Sequence, residues 1–260
     1  MLNSLYPGDK KTALDDILNH YKNNGFVMVS FLYFANAMKW QLFENPVNDE
    51  FLNKRADYLD ALKLSDYLLA DGIALQLFSQ YANDKRLDNL NGTDFIPYFL
   101  ENVTKNHRVS VYLYQCYDPT KGKIESLDMG KDALIHKFVE VPRSDQCLYT
   151  KREDFSFDLL SKAIDKDTNN VKIFLNCTTP FQENWSKVHH EFFMKNSMMI
   201  FNAGGLIDFI SFETRAPERV VKARVLETFR RVITKPKKNL HKFLSMFGVI
   251  RFLWKPIKVS

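Results

Sequence analysis

Asp71 stands directly before Gly72 in the run Leu69-Ala70-Asp71-Gly72-Ile73-Ala74. At the end of an element such a carboxylate either projects into a cleft, where it can take a proton from an attacking hydroxyl, or turns back to cap a helix. A second polar pair, Gln182-Glu183, follows Pro180 in Thr179-Pro180-Phe181-Gln182-Glu183-Asn184-Trp185. Proline near the start of a helix whose first turn is polar suits binding at a strand end, although a lone Glu there also simply complements the helix dipole. Asn202-Ala203-Gly204-Gly205 follows a strand-like run; its glycines either admit a ligand close to the backbone or form a plain tight turn. Asp208 binds a ligand or caps the next helix. Finally, Arg215, Arg219, Lys222, Arg224, Arg230 and Arg231 fall within 17 residues. Guanidinium groups pair with phosphate in bidentate fashion, though any one of them can equally sit on a solvated helix face. The chemistry on offer is therefore a carboxylate base, glycines that allow close approach, and cations for phosphate.

Metal and disulfide chemistry find less support. Cys116, Cys147 and Cys177 are widely spaced and odd in number, with no C-x-x-C pair. Three reduced thiols are the expectation. No metal site is evident in the sequence.

The elements that must position these residues alternate. Strands are predicted over Phe26–Leu32, Val109–Tyr114, Val171–Leu175 and Ser197–Phe201, where β-branched and aromatic residues cluster. Helical spacing covers Asp57–Leu69, running into Ala70-Asp71-Gly72, then Asp94–Lys105, capped near Thr93 or Asp94, and Phe157–Ile164 and Phe181–Lys195. A further strand is predicted near Lys137–Val141. Pro217 can open a helix that runs through Arg231. The pattern predicts an α/β, Rossmann-like fold: a mostly parallel sheet with helices on both faces, plus a helical basic C-terminal appendage. Residues 1–212 would form the main domain and 213–260 the appendage. Such sheets bind ligands at the carboxyl ends of their strands.

In order and spacing, these three segments, with Leu90-Asn91-Gly92-Thr93-Asp94, Arg215-Ala216-Pro217 and Leu226-Glu227-Thr228-Phe229-Arg230-Arg231 before Lys235-Pro236, resemble the WecG/TagA/CpsF glycosyltransferases. The corresponding family pieces read ADG(I/V)G, GxDL, PxQExW, GAxFDF, RAP and LEWxxR…P, and the resemblance covers Val27 to Pro236. It implies an inverting, metal-independent transfer of a hexose or N-acetylhexosamine-type sugar from a UDP-sugar to a lipid-linked, pyrophosphoryl-bearing saccharide, in cell-surface polysaccharide synthesis. No cofactor is implied beyond the UDP-sugar donor, and a homo-oligomer is left open. By resemblance Asp71 is the catalytic base. Ser30, Gly72, Gly92, Asp94, Gln182, Glu183, Asn202, Gly204, Gly205, Asp208, Arg215, Arg230 and Arg231 bind substrate.

The chain also departs from the pattern. Ser30 keeps a hydroxyl where relatives tend to have Thr, but Leu32 replaces an Asn. Tyr114-Gln115-Cys116-Tyr117-Asp118 stands where relatives carry a Gly-Gly loop, and Asn176-Cys177-Thr178-Thr179 where they are Gly-rich. Phe181, Phe212 and Thr228 replace Lys, Gly and Trp. Bulky side chains crowd close backbone approach. They point to a different donor, or to a catalytically weakened relative acting as a nucleotide-sugar-binding or scaffold subunit.

Charge is distributed unevenly. Residues 215–260 carry 13 Lys/Arg against 2 Glu, a net of +11, whereas 1–214 carry 23 against 29, a net of −6. A basic tail on an acidic body implies an anionic partner. Leu240–Trp254 mixes Phe243, Leu244, Phe247, Ile250, Phe252 and Trp254 with Lys242 and Arg251. That suits a helix lying on anionic lipid of the inner leaflet, although packing on the body or another subunit is the alternative. No nucleic-acid module is recognisable, so nucleic acid is not an expected partner. Without an apolar leader or a run of about 18 apolar residues, the expected location is cytoplasmic, at the inner face of the membrane. Each cation at such a surface contributes about 1 kcal/mol. Deleting Lys237–Ser260 should abolish co-sedimentation with anionic vesicles; unchanged binding would remove the anchor.

Overall fold

Near-continuous apolar runs form the strands, as a parallel sheet covered on both faces requires. The computed structural model describes residues 2–40, 42, 49–115, 147–151, 156–177, 182–204 and 206. Its strands are β1 (Val27–Tyr33), β2 (Tyr67–Asp71), β3 (Val109–Gln115), β4 (Cys147–Lys151), β5 (Val171–Asn176) and β6 (Met199–Asn202). They make one sheet in the order β2-β1-β6-β5-β3-β4, and every neighbouring pair is parallel. The helices are α1 (Lys10–Asn24), α2 (Phe34–Lys39), α3 (Asp49–Lys63), α4 (Ile73–Asn83), α5 (Gly92–Thr104), α6 (Phe157–Asp165), α7 (Gln182–Val188) and α8 (His190–Lys195).

Period-two alternation sends strand side chains to two cores. Val27, Val29 and Phe31 of β1, with Val111, Ile173 and Phe201, pack against Ile17 of α1 and Phe95 and Phe99 of α5. Met28, Tyr112, Phe174 and Ile200 face the other way, onto Leu160 and Ile164 of α6 and Phe193 of α8. Beside them Leu32, Leu68 and Ala70 meet Phe34 of α2, Tyr58 and Leu62 of α3 and Phe78 of α4. The expected α/β sheet with helices on both faces is thus present. Among the described residues, no helix is long and apolar enough to cross a membrane.

Several boundaries differ from the sequence reading. The helix predicted over Asp57–Leu69 ends at Lys63, and Tyr67–Asp71 is a strand. Leu69 is buried on one face of the sheet and Leu68 and Ala70 on the other. Pairing with β1 therefore overrides the helical spacing of the leucines and tyrosines. The helix predicted over Phe181–Lys195 is two helices, α7 and α8, broken at His189 (φ −106°, ψ 14°). The cap of α5 is Asn91, whose Oδ1 accepts from the Asp94 N–H at 3.0 Å, rather than Thr93 or Asp94. Helices α1 and α4 were not read from the sequence. Asp9 caps α1 by accepting from the Thr12 N–H at 2.7 Å, a signal that was legible. The predicted strand near Lys137–Val141 and the helix from Pro217 lie outside the described residues.

Register shapes the upper edge of the sheet. Ser30 pairs with Asn202, the last residue of β6, and Asn202 is level with Asn176, the last of β5. β1 continues to Tyr33, which pairs with Asp71 at the end of β2. At about 3.3 Å per residue, β1 and β2 stand roughly 10 Å above the ends of β6 and β5. The edge therefore has a step, with Asp71 on its high side and Asn202 and Asn176 on its floor.

Phe99 is fully buried, its ring edge-on to Phe201 with centroids 5.1 Å apart. Phe99→Ala should cost about 3–5 kcal/mol in urea unfolding. Leu77→Ala, on the exposed face of α4, should cost under about 0.5 kcal/mol.

Candidate functional site

The high side of the step is held by backbone bonds. Asp71 ends β2, partly exposed, and Gly72 begins the turn into α4 with φ 97°. Side chains rarely tolerate that angle. The Gly72 N–H donates to Asn89 Oδ1 at 3.0 Å, and the Leu90 N–H donates to the Ala70 carbonyl at 3.0 Å. The 89–94 segment is thereby fastened beside Asp71. Gly92 is buried, where a Cβ would press the Phe31 ring at 3.3 Å. The Asp94 carboxylate accepts from Asn91 Nδ2 at 2.6 Å. Gly92 and Asp94 thus have structural partners that explain them: they seat α5 and carry the turn beside the candidate base.

The floor is built differently, from buried polar side chains. Asn202 Nδ2 donates to Ser30 Oγ at 2.8 Å, and Ser30 Oγ shares a 2.7 Å hydrogen bond with Ser65 Oγ. Ser186 Oγ of α7 donates to Asn202 Oδ1 at 2.7 Å and accepts from Asn176 Nδ2 at 2.9 Å. Asn176 Nδ2 also donates to the Gln182 carbonyl at 3.0 Å. Gln182 Nε2 donates to the Asn202 carbonyl at 3.2 Å and to Glu183 Oε1 at 3.0 Å. One connected chain of bonds therefore crosses β1, β6 and β5 and ends in the first turn of α7. Ser30, Asn176 and Ser186 are wholly buried, and Gln182 and Glu183 are 7% and 3% exposed.

Glu183 is the electrostatic outlier. Burial pushes its carboxyl from an ordinary 4.5 up to about 7, and the bonds from its own backbone N–H and from Gln182 offset only part of this. Tyr58 of α3 lies close enough that the Glu183 charge adds to the effect of burial, and together they raise the Tyr58 phenol well above its usual range. The α3–α7 contact is extended by Lys187 Nζ, 4.0 Å from Asp60 Oδ2.

The step brings together Asp71, Gly72, Gly92 and Asp94 on its high side, and Ser30, Asn202, Gln182 and Glu183 at its floor. Gly204 turns the chain out of β6 with φ 56°. Ser30, Asn202, Gln182 and Glu183 have hydrogen bonds to the protein itself, so any ligand meets them through the surface they shape. Leu32, at the position where relatives have Asn, is fully buried among apolar side chains. Gly205, Asp208, Arg215, Arg230 and Arg231 lie outside the described residues. Asn176, Ser186, Asn89 and Asn91 were not singled out as site residues from the sequence. The signal for Asn176 was available, since a polar residue closing the apolar run Val171–Leu175 is where a parallel strand meets its ligand edge. Among the described residues, no three His, Cys, Asp or Glu side chains gather so as to hold a metal ion.

The family described as "Glycosyl transferase WecG/TagA/CpsF family" matches residues 9–259, which takes in both the sheet and the basic tail. No curated protein matches the chain.

Glu183 makes stability depend on pH. Below about pH 4.5 its carboxyl is protonated in the folded and unfolded chains alike. As pH rises toward 7 the unfolded chain releases the proton first, and above 7 the folded chain carries a buried charge. Stability should therefore fall across that window, by about 3 kcal/mol for this group. Urea unfolding of Glu183→Gln should lack this fall: near wild type at pH 4.5, more stable at pH 8. Parallel pH curves for the two proteins would contradict it.

Proposed function

The chain belongs to the WecG/TagA/CpsF family and is a glycosyltransferase of cell-surface polysaccharide synthesis; from that premise we propose that it is an inverting, metal-independent enzyme with Asp71 as its base. The donor is a UDP-hexose or UDP-N-acetylhexosamine, and the acceptor is a lipid-linked saccharide. Asp71 takes the proton of the acceptor hydroxyl as its oxygen bonds to the anomeric carbon. The bond from that carbon to the diphosphate breaks, and its electron pair leaves with UDP.

The observation that carries this reading is the position of Asp71. It is a partly exposed carboxylate at the carboxyl end of β2, above the step in the sheet, where open α/β sheets take their ligands. Gly72 and Asn89 fix the backbone that carries it, so a base there is set in place before substrate arrives. Gln182 and Glu183, at the floor, are the donor-contacting part of the same reading. Arg215, Arg230 and Arg231 offset the charge of the leaving diphosphate. The basic segment beyond 237 holds the enzyme at the anionic inner leaflet, where a lipid-linked acceptor is found.

Asp71→Asn keeps the shape of the side chain and removes its basicity. Transfer should fall about 10²- to 10⁴-fold in kcat, while UDP-sugar affinity stays within about twofold. Equal transfer rates for the variant and wild type would rule out Asp71 as the base.

A further inference from the structure

The polar chain under the site has a feature that packing does not require. Beneath α6 and α8 the same face is mostly apolar, with Met28, Phe174 and Ile200 covered there. Beneath α7, by contrast, Ser30, Asn176, Ser186 and Asn202 are gathered in one place, all essentially without solvent contact. Well-packed apolar residues often give equal or greater stability in such positions. What a satisfied polar network adds is a single geometry.

That geometry concerns α7. The helix has only seven residues, too few to hold itself by its own backbone bonds. Ser186 lies one turn after Gln182 on the same side of the helix. Its hydroxyl is tied in both directions, donating to Asn202 Oδ1 and accepting from Asn176 Nδ2. Asn202 and Asn176 in turn take hold of Gln182 itself, through the Asn202 carbonyl and Asn176 Nδ2. A change at Ser186 therefore reaches Gln182 through two strands at once.

We infer that Ser186 is a positioning residue for the donor: with Asn176 and Asn202 it fixes the rotation of α7 that sets Gln182 in the floor on which the nucleotide sugar lies. This rests on the reading above that Gln182 meets the donor. Ser186 touches neither the donor nor Asp71 in this role, so it acts on donor affinity and leaves the proton transfer alone. The same chain extends through Asn202 to Ser30 and Ser65, which ties α7 to the strand that neighbours Asp71.

The test is a double-mutant cycle on the full-length chain. The dissociation constants of UDP and UDP-N-acetylglucosamine are measured by calorimetry for wild type, Ser186→Ala, Gln182→Ala and the double variant. Thermal melts run in parallel. Ser186→Ala should weaken binding of at least one probe about tenfold. The double variant should bind no more weakly than Gln182→Ala, because both lesions act through one group. Ser186→Thr, which keeps the hydroxyl, should restore most of the affinity. Ser186→Cys, close in volume with a weaker hydrogen bond, gives the same reading if the alanine variant does not fold, with an intermediate loss expected. Additive losses, or a melting change with both affinities intact, would overturn the positioning role while leaving Gln182 as a donor contact. Unchanged affinity in Gln182→Ala would overturn it by a different route, by removing the donor contact itself.

Discussion

A side-chain amide buried on a central strand must meet its donors and acceptors inside the protein, since each unmatched group costs about 1–3 kcal/mol. Asn202 meets that demand with groups from three other elements: Ser30 of β1, Ser186 of α7 and Asn176 of β5. Its amide plane is thereby fixed, and the partners are fixed with it. Helix α7 can dock in only one rotation, with Gln182 and Glu183 turned inward. That rotation places Trp185 against Tyr114, with ring centroids 4.8 Å apart, and stacks it on Phe174 at 5.8 Å. Tyr58 of α3 and the Glu183 carboxyl then share a dry interface. The weakened acidity of Glu183, which burial causes, thus goes with the way α7 docks.

The two sides of the site are held by different physics. Around Asp71 the restraint is largely main-chain: a glycine at positive φ, an amide taken by Asn89, and a carbonyl taken by Leu90. Around Gln182 it is side-chain, through Ser30, Asn176, Ser186 and Asn202, all buried. Main-chain restraint fixes where Asp71 leaves the sheet, at the carboxyl end of β2. Side-chain restraint suits a surface that must keep one shape. The apolar faces of the sheet contribute most of the stability and have little influence on either arrangement.

Sequence periodicity was a good guide where one force dominated. The runs at Val109, Val171 and Met199 became strands because they are buried on both sides, and apolar residues alone announce that. Periodicity misled at Asp57–Leu69, where a helix and a strand share one leucine- and tyrosine-rich stretch. Only pairing with β1 separates them. It also missed the break at His189, where no proline or glycine marks the boundary. Asp71 was legible because a short motif surrounds it. The roles of Asn176 and Ser186 were not, because they depend on residues brought together from β1, β5, β6 and α7. Single polar residues in a helix or at a strand end carry no local sign of such partners. Ser30 illustrates the limit: its hydroxyl was readable, but its direction, toward Ser65 and Asn202, was not.

The strand that floors the site joins the chain late. β6 inserts between β1 and β5, and its bond from Asn202 to Ser30 spans 172 residues. Closing so long a loop delays pairing in any folding route that starts from local contacts. During synthesis the chain grows from its N-terminus, so β1 and β2 can be made, with Asp71 in place at the end of β2, long before β6 exists to lie beside them. Until then one edge of β1 is unpaired and α7 has no Asn202 to dock against. The newborn protein thus holds the Asp71 carboxylate without the polar floor beside it until β6, the last strand among the described residues, is threaded into the middle of the sheet.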